Sequence, residues 1–161
     1  MDASHAGNLA NRRSYTGIIV YVNNAPMIWY SKRQNIVEIS SVGSELVALE
    51  ITTDMIEALR YKLRCFGITI DGPAEILCVN NSVVTNATVP ASVFNKRHNA
   101  ICYHRVREAR AAMIIRTGWI PGDLNLSDIL TKTTMPTNKK NAFIVQIFHN
   151  NVEIIKGKDH E

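Results

Sequence analysis

Residues 44–66 place the tightest constraint on what this chain can become. Leu46, Leu49, Met55, Ile56, Leu59, Leu63 and Phe66 recur at close to helical spacing on one face. Ser40 or Ser41 stands ready to cap the start, and Gly67 follows the end as a stop. The spacing predicts a long amphipathic helix, which must lay its apolar side on another layer. The flanking sequence offers that layer. Residues 17–22 form a β-branched and aromatic run, Asn23-Asn24 is turn chemistry, and residues 25–31 read as the returning arm of a hairpin. A third short run, residues 35–40, carries Ile36, Val37 and Ile39. Downstream, residues 75–79 read as a short buried strand after the turn Asp71-Gly72-Pro73, residues 82–87 and 99–112 as helices, and residues 114–120 as a strand stopped by Pro121-Gly122. Residues 126–132 are helical or a helix start. A hairpin followed by β-α-β crossovers predicts an α/β fold, a mixed sheet with helices packed on it.

A length of 161 residues provides one core, and neither a repeat nor a Gly/Ser- or Pro-rich linker divides it. A formal charge of +4 is compatible with a polyanionic partner without requiring one. No apolar stretch approaches the roughly 20 residues that span a bilayer, and Met1-Asp2-Ala3-Ser4-His5 lacks the apolar centre of a signal peptide. Cys65, Cys78 and Cys102 are odd in number and form no C-x-x-C pair, which predicts reduced thiols and an intracellular setting.

Three acids fall at suggestive places: Asp2 beside the first strand, Glu45 near the start of the long helix and Asp128 at the last helix start. Two divalent cations about 4 Å apart need several carboxylates converging on one point, because hard cations take oxygen ligands. Taken singly, each acid is equally consistent with a surface or capping role.

Local sequence sharpens the choice. Asp2-Ala3-Ser4-His5-Ala6-Gly7 with Arg12-Arg13-Ser14-Tyr15-Thr16-Gly17 resembles the D-A-D-W-A-G…R-R-S-T-S-G opening of copia-type LTR retrotransposon ribonuclease H domains. The stretch from Trp29 to Gln34 resembles their W-S-S-K-K-Q, and that from Ser40 to Leu49 their S-S-T-E-A-E-Y-I-A-L. Cys78 to Ser82 resembles C-D-N-Q-S. Lys96-Arg97-His98 with Tyr103-His104 and Arg107-Glu108 resembles K-H-I-D-I-R-Y-H-F-I-R-E, and Leu126 to Lys132 resembles L-A-D-I-L-T-K. The blocks run in family order from Asp2 to Lys132.

The resemblance implies a ribonuclease H-like five-stranded mixed sheet over residues 1–132, with residues 133–161 as an extension. It implies hydrolysis of RNA in RNA/DNA hybrids with Mg²⁺ or Mn²⁺, and descent from a polyprotein with a reverse transcriptase domain upstream. Asp2, Glu45 and Asp128 match the family's catalytic, metal-holding acids. The fourth acid does not carry over, because Val79 stands where the family has the Asp of C-D-N. By analogy Asp2 and Asp128 serve the cation that activates water, and Asp2, Glu45 and position 79 the cation at the leaving group. Valine has no lone pair to donate. Asn80 points to the opposite strand face, and Glu75, of the right parity, lies roughly 13 Å away along the strand. Losing one clamp of a two-metal site costs several kcal/mol of transition-state stabilisation, on the order of a thousandfold or more in rate. The expectation is an impaired or inactive nuclease.

Two further departures lean the same way. Gly43 replaces the first acid of T-E-A-E, which leaves less negative charge near the site. The family's first strand is central and is formed by residues preceding the first Asp, so the strand here reads as truncated and its neighbours as exposing unpaired ladder groups. A longer chain fills that gap, or another segment does; the apolar runs on either side of His149-Asn150-Asn151, within residues 142–155, read as a hairpin able to supply a strand.

Lys96, Arg97, Arg105, Arg107, Arg110 and Arg116 crowd one stretch, which suits either a phosphate backbone or a solvated helix face. That stretch supports the alternative of a non-catalytic remnant binding RNA/DNA hybrid; a decaying element fragment without selected function is the other. His98, Cys102 and His104 make a poor zinc set, since Cys102 and His104 are two apart on a helix. Trp29 and Trp119 are expected in the core, and Asp123 forms a turn or relays protons beside the last acid.

Overall fold

The computed structural model describes residues 1–8, 10–92 and 97–148. The elements run β1 (Asp2–Ser4), β2 (Tyr15–Val22), β3 (Ala25–Arg33), α1 (Ser41–Cys65), β4 (Ala74–Cys78), α2 (Asn81–Thr88), α3 (Ala100–Ala111), β5 (Ile115–Trp119) and α4 (Thr137–Phe148), with short 3₁₀ segments at Arg97–Asn99, Gly122–Leu124 and Leu126–Leu130. The architecture is mixed α/β, as the periodicities predict. Ser40 caps α1, its hydroxyl accepting from Gly43 N at 3.2 Å, and Gly67 leaves the helix at φ +76°, a conformation that glycine adopts without strain. No helix among the described residues is long and apolar enough to cross a membrane.

The strands form two sheets rather than the expected five-stranded one. β1, β2 and β3 are antiparallel neighbours in that order, and β4 pairs with β5 in parallel. β1 reaches only from Asp2↔Gly17 to Ser4↔Tyr15, too short a strand to build a ladder with β4. Among the described residues the backbone link between the sheets is the Met1 amino group, donating to Leu77 O at 2.9 Å. α1 covers both: Leu46, Leu49 and Ile56 share one core with Ile18 of β2, Ile76 and Cys78 of β4, and Ile115 of β5.

Several expectations are corrected. Residues 35–40 form no strand, because Glu38 turns its carboxylate inward while Ile36, Val37 and Ile39 stay exposed. Residues 142–148 belong to helix α4 and not to a hairpin arm; Phe143 and Ile147, one turn apart, are its buried pair. The remainder of that predicted hairpin lies outside the described residues. Trp29 is 66% exposed and Trp119 54% exposed, so neither is core. Trp29 projects from the outward face of the edge strand β3, and Trp119 ends β5, where its indole N–H donates to Val79 O at 2.9 Å.

Candidate functional site

The three acids singled out in the sequence are all buried: Asp2 is 7% exposed, Glu45 6% and Asp128 1%. β1 carries Asp2, the start of α1 carries Glu45, and the 3₁₀ turn Leu126–Leu130 carries Asp128. Gly17 is what lets that turn sit down on β2. A Cβ there would lie 2.6 Å from Thr131 Cγ2 and 2.9 Å from Ser127 O. Asn125 caps the turn, its Oδ1 accepting from Ser127 N at 3.2 Å, and its amide donates back to Met1 O at 3.2 Å. Thr131 Oγ1 donates to Asp2 Oδ2, and the Lys132 ammonium holds Asp128 Oδ2, with Lys139 Nζ 4.0 Å from the same oxygen.

The electrostatics report convergence. Burial raises the Asp2 carboxyl above its ordinary value; the Thr131 hydroxyl opposes the shift and the Asp128 charge adds to it. Burial, then the Asp2 charge, pushes Glu45 up to about 8, against the N–H of Ala3 that reaches Glu45 Oε1 at 3.3 Å. Glu45 therefore carries a proton at neutral pH, and its buried Oε2 has no hydrogen-bond partner among the described residues. Burial pulls Lys132 down, but the Asp128 hydrogen bond and charge outweigh it and the net shift is upward. One proton thus answers Glu45 and one ammonium answers Asp128, while Asp2 rests on the neutral Thr131 hydroxyl.

A metal centre does not fit this arrangement. Among the described residues no group of three or more His, Cys, Asp or Glu side chains is set to hold an ion. Position 79, just past β4, presents an apolar side chain, with Val79 Cγ1 3.5 Å from where a Cβ on Gly122 would stand. Its neighbours offer no substitute. Asn80 caps α2, its Oδ1 accepting from Ser82 N at 3.1 Å, and exposed Glu75 pairs with Arg116 at 3.3 Å. Asp123 is exposed and pairs with Lys139 at 3.0 Å.

The basic stretch is largely engaged internally. Arg105 bridges Asp54 and Glu57 of α1, Arg107 donates to the carbonyls of Asn86, Val89 and Pro90, and Arg110 to that of Ala87. These guanidiniums fasten α3 to α1 and α2. Arg97 opens the 3₁₀ turn before α3, and Lys96 lies outside the described residues.

Sequence reasoning passed over a second polar cluster beside the first turn of α1. The Glu38 carboxylate is buried, accepting from Asn99 Nδ2 at 3.0 Å and facing His98 Nε2 at 3.3 Å. It packs against Gly43, where any Cβ would strike Glu38 Oε2. The space that Gly43 leaves holds the carboxylate of Glu38. Nearby, Ser44 Oγ meets Ser14 Oγ at 2.8 Å and His5 Nδ1 at 3.1 Å. The available signal was Gly43 itself, a glycine inside a helical run.

Comparison with known proteins points one way. The chain is 29% identical over 131 residues to the retrovirus-related Pol polyprotein from transposon RE2 of Arabidopsis thaliana, spanning 81% of this chain and 9% of that protein. The polyprotein from transposon RE1 of the same plant is 29% identical over 140 residues, 87% of this chain and 10% of that protein. That from transposon TNT 1-94 of Nicotiana tabacum is 27% identical over 138 residues, 86% of this chain and 10% of that protein. No protein-family model matches the chain, and no solved structure matches it. The chain spans about a tenth of the length of the relatives it matches. Over most of its length the chain is similar to a region of retrovirus-related Pol polyproteins from plant transposons.

Proposed function

We propose that this chain is the ribonuclease H-like region of a retroelement Pol polyprotein, in which hydrolysis of RNA paired to DNA is impaired at position 79. One observation carries the reading: three elements far apart in sequence bring Asp2, Glu45 and Asp128 into one buried, mutually repelling group. A fold that buries three acids together, with one held protonated and another by Lys132, carries the layout of a cation site that its present side chains no longer complete. Val79, just past β4, stands where the missing donor would be. The ordered motif blocks and the similarity to Pol polyproteins support the same assignment.

In this state the chain's own groups do little chemistry. Glu45 holds its proton, Lys132 neutralises Asp128, and Thr131 orients Asp2. Mg²⁺ or Mn²⁺, if restored, would supply Lewis-acid activation of water. RNA/DNA hybrid is the proposed ligand. Because Arg105, Arg107 and Arg110 are spent on internal acceptors, hybrid binding does not depend mainly on them. Calorimetric titration with Mn²⁺ tests the reading: Val79→Asp binds the ion, and the parent does so at least tenfold more weakly. Equal binding by both refutes the assignment of position 79.

A further inference from the structure

The arginines of α3 are engaged internally, but four other cations are not. Arg12 and Arg13 precede β2, and Lys32 and Arg33 end β3. The antiparallel register brings the two pairs together: Tyr15 lies opposite Arg33, Thr16 opposite Lys32, and Gln34 N donates to Ser14 O at 2.8 Å. Arg12, Lys32 and Arg33 are exposed and Arg13 is half-buried. None of the four is in an ion pair with an acid among the described residues. Lys32 and Arg33 border a groove of about 260 Å³ whose α1 wall carries Glu50, yet neither reaches that carboxylate. By contrast Arg105, Arg116, Lys132 and Lys139 all meet carboxylates.

Holding this arrangement costs the fold something. Like charges on neighbouring strands repel. Arg12 also stands at φ +56°, in the left-handed region that an L side chain occupies only where its surroundings hold it there. The surroundings do so. Arg12 N donates to Asn8 O at 2.7 Å, and Asn8 N to Arg13 O at 3.1 Å. Asn8 Oδ1 accepts from Ala10 N at 3.0 Å and Asn11 N at 3.2 Å, and Asn11 Oδ1 from Arg13 N at 3.1 Å. The two guanidiniums therefore start from a fixed backbone, and such a turn loses little freedom on binding. The group also flanks the buried acids. Asp2 pairs with Gly17 and Gly17 with Ser31, whose hydroxyl donates at 2.6 Å to Leu130 O in the turn that carries Asp128. From Asp2 to Arg33 is two strand spacings across and two residues along, about 12 Å. Three or four base steps, at about 3.4 Å each, cover that distance.

We propose that Arg12, Arg13, Lys32 and Arg33 form a phosphate-binding cradle for a nucleic-acid backbone that passes over the buried acids. Guanidiniums fork onto phosphate oxygens and the ammonium adds a point charge, so the cradle fixes position and reads no sequence. It takes the part that the arginines of α3 do not play. The inference rests on the nucleic-acid reading of the ligand given above, and not on position 79 or on a divalent ion.

Fluorescence anisotropy of a labelled RNA/DNA hybrid, titrated with the full chain in EDTA over a series of salt concentrations, tests it. Arg12→Gln combined with Arg33→Gln weakens binding at least tenfold at low salt. It also reduces the slope of log K against log salt by about two, at roughly 0.9 per phosphate contact. Lys62→Gln combined with Arg64→Gln removes the same charge from the last turn of α1 and leaves affinity and slope nearly unchanged. Equal losses in the two double variants mean attraction by net charge alone and overturn the cradle. Parent-like binding by the first double variant overturns the cradle and leaves the ligand standing. A parent that binds phosphatidylserine vesicles and not the hybrid overturns the cradle and the ligand together.

Discussion

Replacing Glu45 by glutamine changes one proton and almost no shape, which makes it the cleanest probe of the buried acids. The folded state raises this carboxyl from its ordinary 4.5 to about 8, so between those values folded chains bind a proton that unfolded chains release. The sign follows directly. The stabilisation is fully present below about pH 4.5 and is lost as pH rises through about 8. At 1.36 kcal/mol per unit, the parent loses roughly 2–3 kcal/mol between pH 5 and 7 through this group. Asp2, also raised by burial, adds a contribution of the same sign to parent and variant alike. The introduced glutamine keeps an acceptor for Ala3 N and has nothing to titrate. Urea unfolding at pH 5, 6, 7 and 8 should therefore show two curves that converge near pH 5 and separate above it, with Glu45→Gln the more stable at pH 8. A parent whose unfolding free energy is flat from pH 5 to 8, or a variant with the parent's slope, would refute the claim that these acids are buried together.

Three further outcomes follow from packing and pairing. Gly17→Ala forces a methyl against Ser127 O and Thr131, so it should destabilise by about 1–3 kcal/mol in the same unfolding assay. Gly43→Ala displaces the Glu38 carboxylate and strands the Asn99 amide, at a cost of about 1–3 kcal/mol. Lys132→Met leaves the Asp128 carboxylate with only the more distant Lys139, and should cost about 3 kcal/mol in the same unfolding assay.

The elements legible in the sequence were those whose signal is local. The period of Leu46 to Leu63 and the cap at Ser40 gave α1 nearly to the residue, and the Pro121-Gly122 stop closed β5. The three acids were legible only through ordered blocks, since nothing in the spacing of Asp2, Glu45 and Asp128 brings them together without a fold. What failed was long-range. Ile36, Val37 and Ile39 resembled a strand, but Glu38 among them has a buried partner some sixty residues away in Asn99. Residues 142–148 read equally as strand or helix by composition, and the Phe143–Ile147 spacing, overlooked, decided for helix. The arginines of α3 looked like a phosphate-binding row because their partners, Asp54, Glu57 and the carbonyls of α2, are invisible in one dimension.

The proposal that Val79 impairs hydrolysis has a direct test. The direct measurement is cleavage of a labelled RNA/DNA hybrid, with Mg²⁺ and then Mn²⁺, by the parent and by Val79→Asp side by side. The account predicts cutting by the variant and a parent slower by on the order of a thousandfold or more. A parent that cuts as fast as the variant would contradict it.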